Sequence, residues 1–187
     1  MALSATAMIC GCTGEKKVDN PFFTEWDTPF GVPPLEQIMP EHYLPAFMQA
    51  MTEQKAEIEA IVTNNEPATF ENTIAALDQS GNLLNKVSSV FFCQTNANTN
   101  DALQAINTEV SPLLSQHSDD INMNPELFAR VKSVYDNRET AALDKEQMKL
   151  LTETYDGFVR GGANLDSVSQ TKLRELNTEI SSLQTTF

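Results

Sequence analysis

Two histidines, three cysteines and a scattering of carboxylates are the side chains in this 187-residue sequence able to hold a metal or move a proton. His117 lies on an apolar stripe. Without a second histidine nearby it reads as a hydrogen-bonded core residue rather than a ligand. Asp119-Asp120 beside it would suit a cation if it came with the glycine and spaced oxygens of a calcium loop; lacking those, it reads as a solvated helix end. His42, next to Glu41, falls where a helix begins. With no nucleophile or second base near it in sequence, local capping or packing of the preceding arm is its expected role. Glu53 and Glu57 stand one helical turn apart, as an acid–base pair might be imagined. They share a polar face with Glu59, whereas working carboxylate pairs come from different elements around a pocket, so a solvated face is expected. Met48 and Met51 read as core filling, and Cys93, after Phe91-Phe92, as a small buried residue. The Gly157–Gly162 run, GFVRGG, lacks the strand–loop–helix setting of a phosphate loop, and Arg160 is expected to pair with Asp156 one turn earlier. The residues therefore predict no catalytic and no metal site in this chain.

The elements that position these side chains are all helical. Leu44, Phe47, Met48, Met51, Ile58, Ile61 and Val62 recur at helical spacing, with Glu53, Lys55, Glu57 and Glu59 opposite. Asn64-Asn65-Glu66-Pro67 stops that helix, and Thr69 can cap a second whose stripe is Ile74, Leu77, Leu84, Val87 and Phe91. The spacing predicts an antiparallel helical hairpin. A third helix follows Thr99 or Asn100 through Leu103, Ile106, Val110, Leu113, His117 and Ile121, with Pro112 removing one backbone bond and kinking it. Asn124-Pro125-Glu126 starts a short fourth helix, and Asp144 with Gln147 forms a capping box for a fifth that ends at Gly161-Gly162. Leu173, Leu176, Ile180, Leu183 and Phe187 carry a sixth up to the last residue, which predicts a helix cut short and in need of a partner. Strand signals are nearly absent. The expectation is an all-α body of about six helices.

Two stretches precede that body. Residues 1–14, MALSATAMICGCTG, end in an Ile-Cys-Gly-Cys that resembles a lipoprotein box, which makes Cys12 the expected lipid attachment site. No Lys or Arg precedes the apolar run, so an upstream start or a disordered leader stays open. Residues 15–40 are irregular: Pro21, Pro29, Pro33, Pro34 and Pro40 prevent a regular helix. Phe22, Phe23, Trp26 and Phe30 predict an arm packed on the helices. The formal charge of −14 disfavours nucleic acid and anionic membrane surfaces, leaving a lipid anchor as the one predicted membrane contact.

Several separated blocks carry a family resemblance: PPLEQIMPEHYLPAFMQAM (Pro33–Met51), PATFENTIAALDQSG (Pro67–Gly81), ANTN (Ala97–Asn100), NPELFARVKSVYDNR (Asn124–Arg138) and GFVRGGANL (Gly157–Leu165). In order and without obvious gaps, from Asn20 to Phe187, the chain resembles the N-terminal part of bacterial peptidyl-dipeptidases, within the thimet-oligopeptidase-like zinc metallopeptidases. The resemblance implies a complete enzyme that hydrolyses short peptides and releases C-terminal dipeptides. It also implies that residues 41–187 belong to a helical region covering one side of a deep channel. Members carry His-Glu-x-x-His on a helix, the histidines facing zinc and the glutamate activating water. Here Tyr43-Leu44 follow His42 and Ser118-Asp119 follow His117, so the motif is absent from this sequence. By resemblance, zinc belongs to the complete enzyme and none to this chain, and the remaining catalytic part and short peptides are the partners. A bacterial cell envelope or periplasmic location follows from the lipoprotein reading, with the cytoplasm as the alternative. A stand-alone helical binding module or a non-functional remnant also stays open.

Overall fold

The computed structural model describes residues 19–185; the expected leader, with Cys10 and Cys12, and Phe187 lie outside them. Among the described residues there is no strand. Six long helices, α1 (Pro40–Val62), α3 (Asn82–Ala97), α4 (Asp101–Asn122), α5 (Pro125–Asp136), α6 (Lys145–Arg160) and α7 (Ser167–Gln184), make up the body. A π-helical turn, Phe70–Ala75, runs into the short α2 (Ala76–Asp78). The all-α prediction and its six long helices hold.

The starts of the helices are set locally. Asn100, Asn124, Asp144 and Asp166 each accept backbone N–H groups of the first turn that follows, which would otherwise lack partners. Thr69 and Asn72 cap the π-helical turn reciprocally. The predicted second helix is instead two pieces. Gly81 sits at φ +71, and its N–H donates to the Glu57 carboxylate at 2.7 Å, so the apolar repeat runs on through a break in the helix. Gly162, at φ +97, closes the end of α6.

Helix α1 is the spine. Its first half packs Tyr43, Phe47 and Met51 against Val87, Val90 and Phe91 of α3 and Leu103 and Val110 of α4. Its second half packs Ile58 and Ile61 against Phe70, Ile74, Leu127, Phe128, Val131, Leu151 and Phe158. Contacts of Tyr43 with Gln94, Phe47 with Phe91 and Gln54 with Ser80 run in opposite chain directions, so α1 and α3 are antiparallel, as the spacing predicts. Tyr43, Phe47 and Phe91 meet edge-on, with ring centroids 4.9 and 5.3 Å apart. Helix α7 packs on α4.

The arm is anchored near both ends, by Phe22 and by Ile38, which is 5 % exposed in the same core. Phe22 is buried at 1 % exposure and Trp26 packs behind it, whereas Phe23 and Phe30 face water. Lys86 of α3 fastens the arm by donating to the Phe22 and Thr24 carbonyls at 3.2 and 2.8 Å and by lying 4.2 Å from the Trp26 ring centre. Burial pushes the Lys86 ammonium below its ordinary value, and nearby Glu25 opposes that shift.

Three further expectations are corrected here. Cys93 is exposed, because Val87, Val90, Phe91 and Gln94 form the face of α3 turned to α1 and Cys93 lies beyond it. Met48 is also exposed while Met51 is buried, so the pair straddles the edge of the α1 stripe. Arg160 donates through Nε to the backbone carbonyl of Asp156 at 3.2 Å rather than to its carboxylate.

Candidate functional site

Titratable side chains from α1, α4 and α7 meet where these three helices come together. His117 is 5 % exposed, and its Nε2 lies 2.7 Å from Gln54 Oε1. The amide oxygen only accepts, so this geometry assigns the imidazole proton to Nε2 and leaves Nδ1 bare. Nδ1 is buried without a protein partner. Gln54 is held in turn by its Nε2 against Ser80 Oγ at 3.3 Å, and Ser80 donates to the Leu77 carbonyl at 2.8 Å. Burial holds the His117 pKa below its ordinary value. Lys55 adds to that, and Asp120 acts against it. A neutral, hydrogen-bonded core histidine is therefore what the structure contains.

Asp120 accepts from Lys55 Nζ at 3.2 Å and Arg174 at 2.9 Å, joining α1 and α7 through α4. All three side chains are partly exposed, so each pair contributes on the order of 0.2–1 kcal/mol. Asp119 corrects the expectation of a solvated helix end. It is 5 % exposed, because α7 lies over this side of α4, and its Oδ1 accepts from Asn177 Nδ2 at 2.8 Å. Its Oδ2 is buried without a protein partner, beside a cavity of about 420 Å³ that Ser115, Ser118, Asn122 and Arg160 also line. Two adjacent aspartates in a polar run gave no sign that another helix would cover one of them.

The remaining predicted residues are scattered. His42 Nδ1 accepts the Met39 N–H at 3.0 Å, and its carbonyl accepts from Asn20 Nδ2 at 2.8 Å, so it both caps α1 and ties down the arm. His42 lies twelve residues before Gln54 on α1, which separates the two histidines by roughly 18 Å along the helix axis. Glu53 accepts from Gln49 at 2.8 Å on the exposed face, while Glu57 is engaged with the Gly81 N–H. No acid–base pair forms from them. Arg130, unremarked in the sequence, clamps the α1–π-turn connection through the Asn64 and Glu66 carbonyls and the Asn72 side chain, at 2.8, 3.2 and 3.1 Å. A lone arginine between Phe128 and Val131 on a buried face was the signal available for it.

Among the described residues no three His, Cys, Asp or Glu side chains cluster as metal ligands. His117 has one ring nitrogen committed to Gln54 and the other buried without a second ligand beside it. These side chains do not fit a zinc ion. What the seam does is fix α7 on α4 and the Ser80-Gly81 corner on α1.

No protein-family model matches the chain. Among individual proteins, it is 44 % identical to "Dipeptidyl carboxypeptidase" of Escherichia coli strain K12 over 168 residues, which is 90 % of this chain and 25 % of that protein. The Salmonella typhimurium protein of the same name is 40 % identical over the same shares. Oligopeptidase A of E. coli is 26 % identical over 156 residues, 83 % of this chain and 23 % of that one. The chain spans about a quarter of the length of these relatives. Over its matched residues it belongs to the family of dipeptidyl carboxypeptidase and oligopeptidase A.

Proposed function

We propose that this chain is the N-terminal part of a zinc metallopeptidase that hydrolyses short peptides and releases C-terminal dipeptides, and that it contributes framework rather than chemistry. The observation that carries the reading is 44 % identity across nine-tenths of the chain to a protein four times the matched length. In this reading residues 41–187 form a helical cover and part of a channel wall, residues 15–40 brace it as an arm, and residues 1–14 are a lipoprotein-type signal with Cys12 as acceptor. Zinc and the groups that activate water then lie in the rest of the enzyme. The chain alone is inactive. The E. coli and Salmonella relatives support a bacterial source, with the cell envelope as the location if Cys12 is lipidated and the cytoplasm if not. None of the helices among the described residues is long and apolar enough to cross a membrane.

The test is a graft. The 168-residue matched segment of the E. coli enzyme is replaced by the corresponding residues of this chain, and dipeptide release from a blocked oligopeptide is followed. Activity within about tenfold of the parent, a loss of no more than about 1.4 kcal/mol in barrier height, is the expected result. A soluble graft without activity would count against the reading and favour a stand-alone helical module.

A further inference from the structure

Helix α7 differs from the other long helices in having no buried residue. The side it turns to α4 is largely polar, with Arg174 on Asp120 and Asn177 on Asp119. Leu173 is turned inward, whereas Val168 is 79 %, Leu176 43 %, Ile180 51 % and Leu183 52 % exposed, Ile180 standing at the edge where the cavity beside Asp119 opens. Val168, Leu176 and Ile180 are spaced by multiples of four, Leu183 follows Ile180 by three, and the exposed Lys172 stands between Val168 and Leu176. From Val168 to Leu183 the strip is roughly 22 Å long at the rise of an α-helix. An apolar strip of that length on a helix seated through polar contacts points to a second body on its outer side.

We infer that the outward face of α7, centred on Leu176 and Ile180, is the seat for the remainder of a peptidase chain, the three quarters of a relative's length that lie outside the matched residues. This rests on the reading under Proposed function. Two observations favour that occupant. The matched stretch is 25 % of the E. coli relative, so most of such an enzyme remains to be packed against these helices. Charge argues against a second copy. The whole chain carries −14, and two copies repel, whereas α7 itself balances Lys172 and Arg174 with Glu175 and Glu179.

The double variant Leu176→Glu/Ile180→Glu is made in the 187-residue chain alone and in the graft. A control pair, Asn85→Glu/Ser89→Glu on the exposed side of α3, adds the same charge. In the chain alone the α7 variant leaves the melting temperature within about 2 °C, since both residues already meet water. In the graft it lowers the first melting transition by about 5 °C or more, and the control pair does not. If the unsubstituted graft is active and the α7 variant melts as it does, the docking inference fails while the peptidase reading stands. An unsubstituted graft that is soluble but inactive removes the reading and the docking with it. Light scattering that finds the chain alone dimeric, and the α7 variant monomeric, overturns the inference in favour of a second copy.

Discussion

His117 is neutral because its Nδ1 faces protein rather than water, and that arrangement makes stability depend on pH in a definite direction. Its folded-state pKa lies below the ordinary 6.5, so the unfolded chain takes up this proton first. The stabilisation is complete above about pH 6.5 and is lost as the pH falls through that value toward the folded pKa. Denaturant titrations at pH 7.5 and 5.5 should therefore show a smaller pH loss in His117→Gln than in the unsubstituted chain. An equal loss in both would place the acid sensitivity elsewhere. The same substitution should cost about 1–3 kcal/mol at pH 7.5 through the disturbed pairing with Gln54. Gly81→Ala tests the corner on the other side of that network. A Cβ there would run into the Gln54 side-chain amide, and φ of +71° adds about 1–2 kcal/mol of backbone cost. Urea unfolding of Gly81→Ala should thus show a loss of at least about 1 kcal/mol, whereas Gly157→Ala, with open space around it, should show none. At this scale sequence reading worked where a side chain acts on its own neighbours. His42 at the start of α1 and Asp144 with Gln147 sit within three residues of their partners. It missed Asp119 and Arg130 because their partners lie 58 and up to 66 residues away.

The arm and the corner between α2 and α3 show the same division among elements. Proline spacing and aromatic content announced an irregular arm that packs, and Phe22 and Trp26 do pack. Which aromatics would pack depended on Lys86, a residue on another helix whose ammonium receives two arm carbonyls and a ring face. Lys86→Ala should leave the helical body folded by circular dichroism and speed proteolysis between residues 20 and 30 severalfold. Unchanged cleavage there would mean Phe22 holds that end of the arm without Lys86. Phe22→Ala, which empties a site against Tyr43, should cost about 3–5 kcal/mol of global stability in the same unfolding assay. The break at Gly81 was harder to read. The apolar repeat passes from Ile74 to Val87 in step, and what interrupts the helix is the left-handed glycine tied to Glu57, a long-range contact invisible to periodicity.

Taken whole, the molecule is a spine with two filled cores and one helix, α7, seated through polar contacts with its apolar side outward. The charged residues that matter in it hold helices to one another. Lys55, Asp120 and Arg174 link three of them, Asn177 meets Asp119, and Gln54 holds His117 to α1. In the proposed reading this chain is framework for a peptidase whose chemistry lies elsewhere. Its most direct test is to incubate the purified 187-residue chain with equimolar zinc and a blocked oligopeptide, and to follow the products by mass spectrometry. Intact peptide and no zinc retained through gel filtration are the expected result. Stoichiometric zinc together with release of C-terminal dipeptides would contradict it.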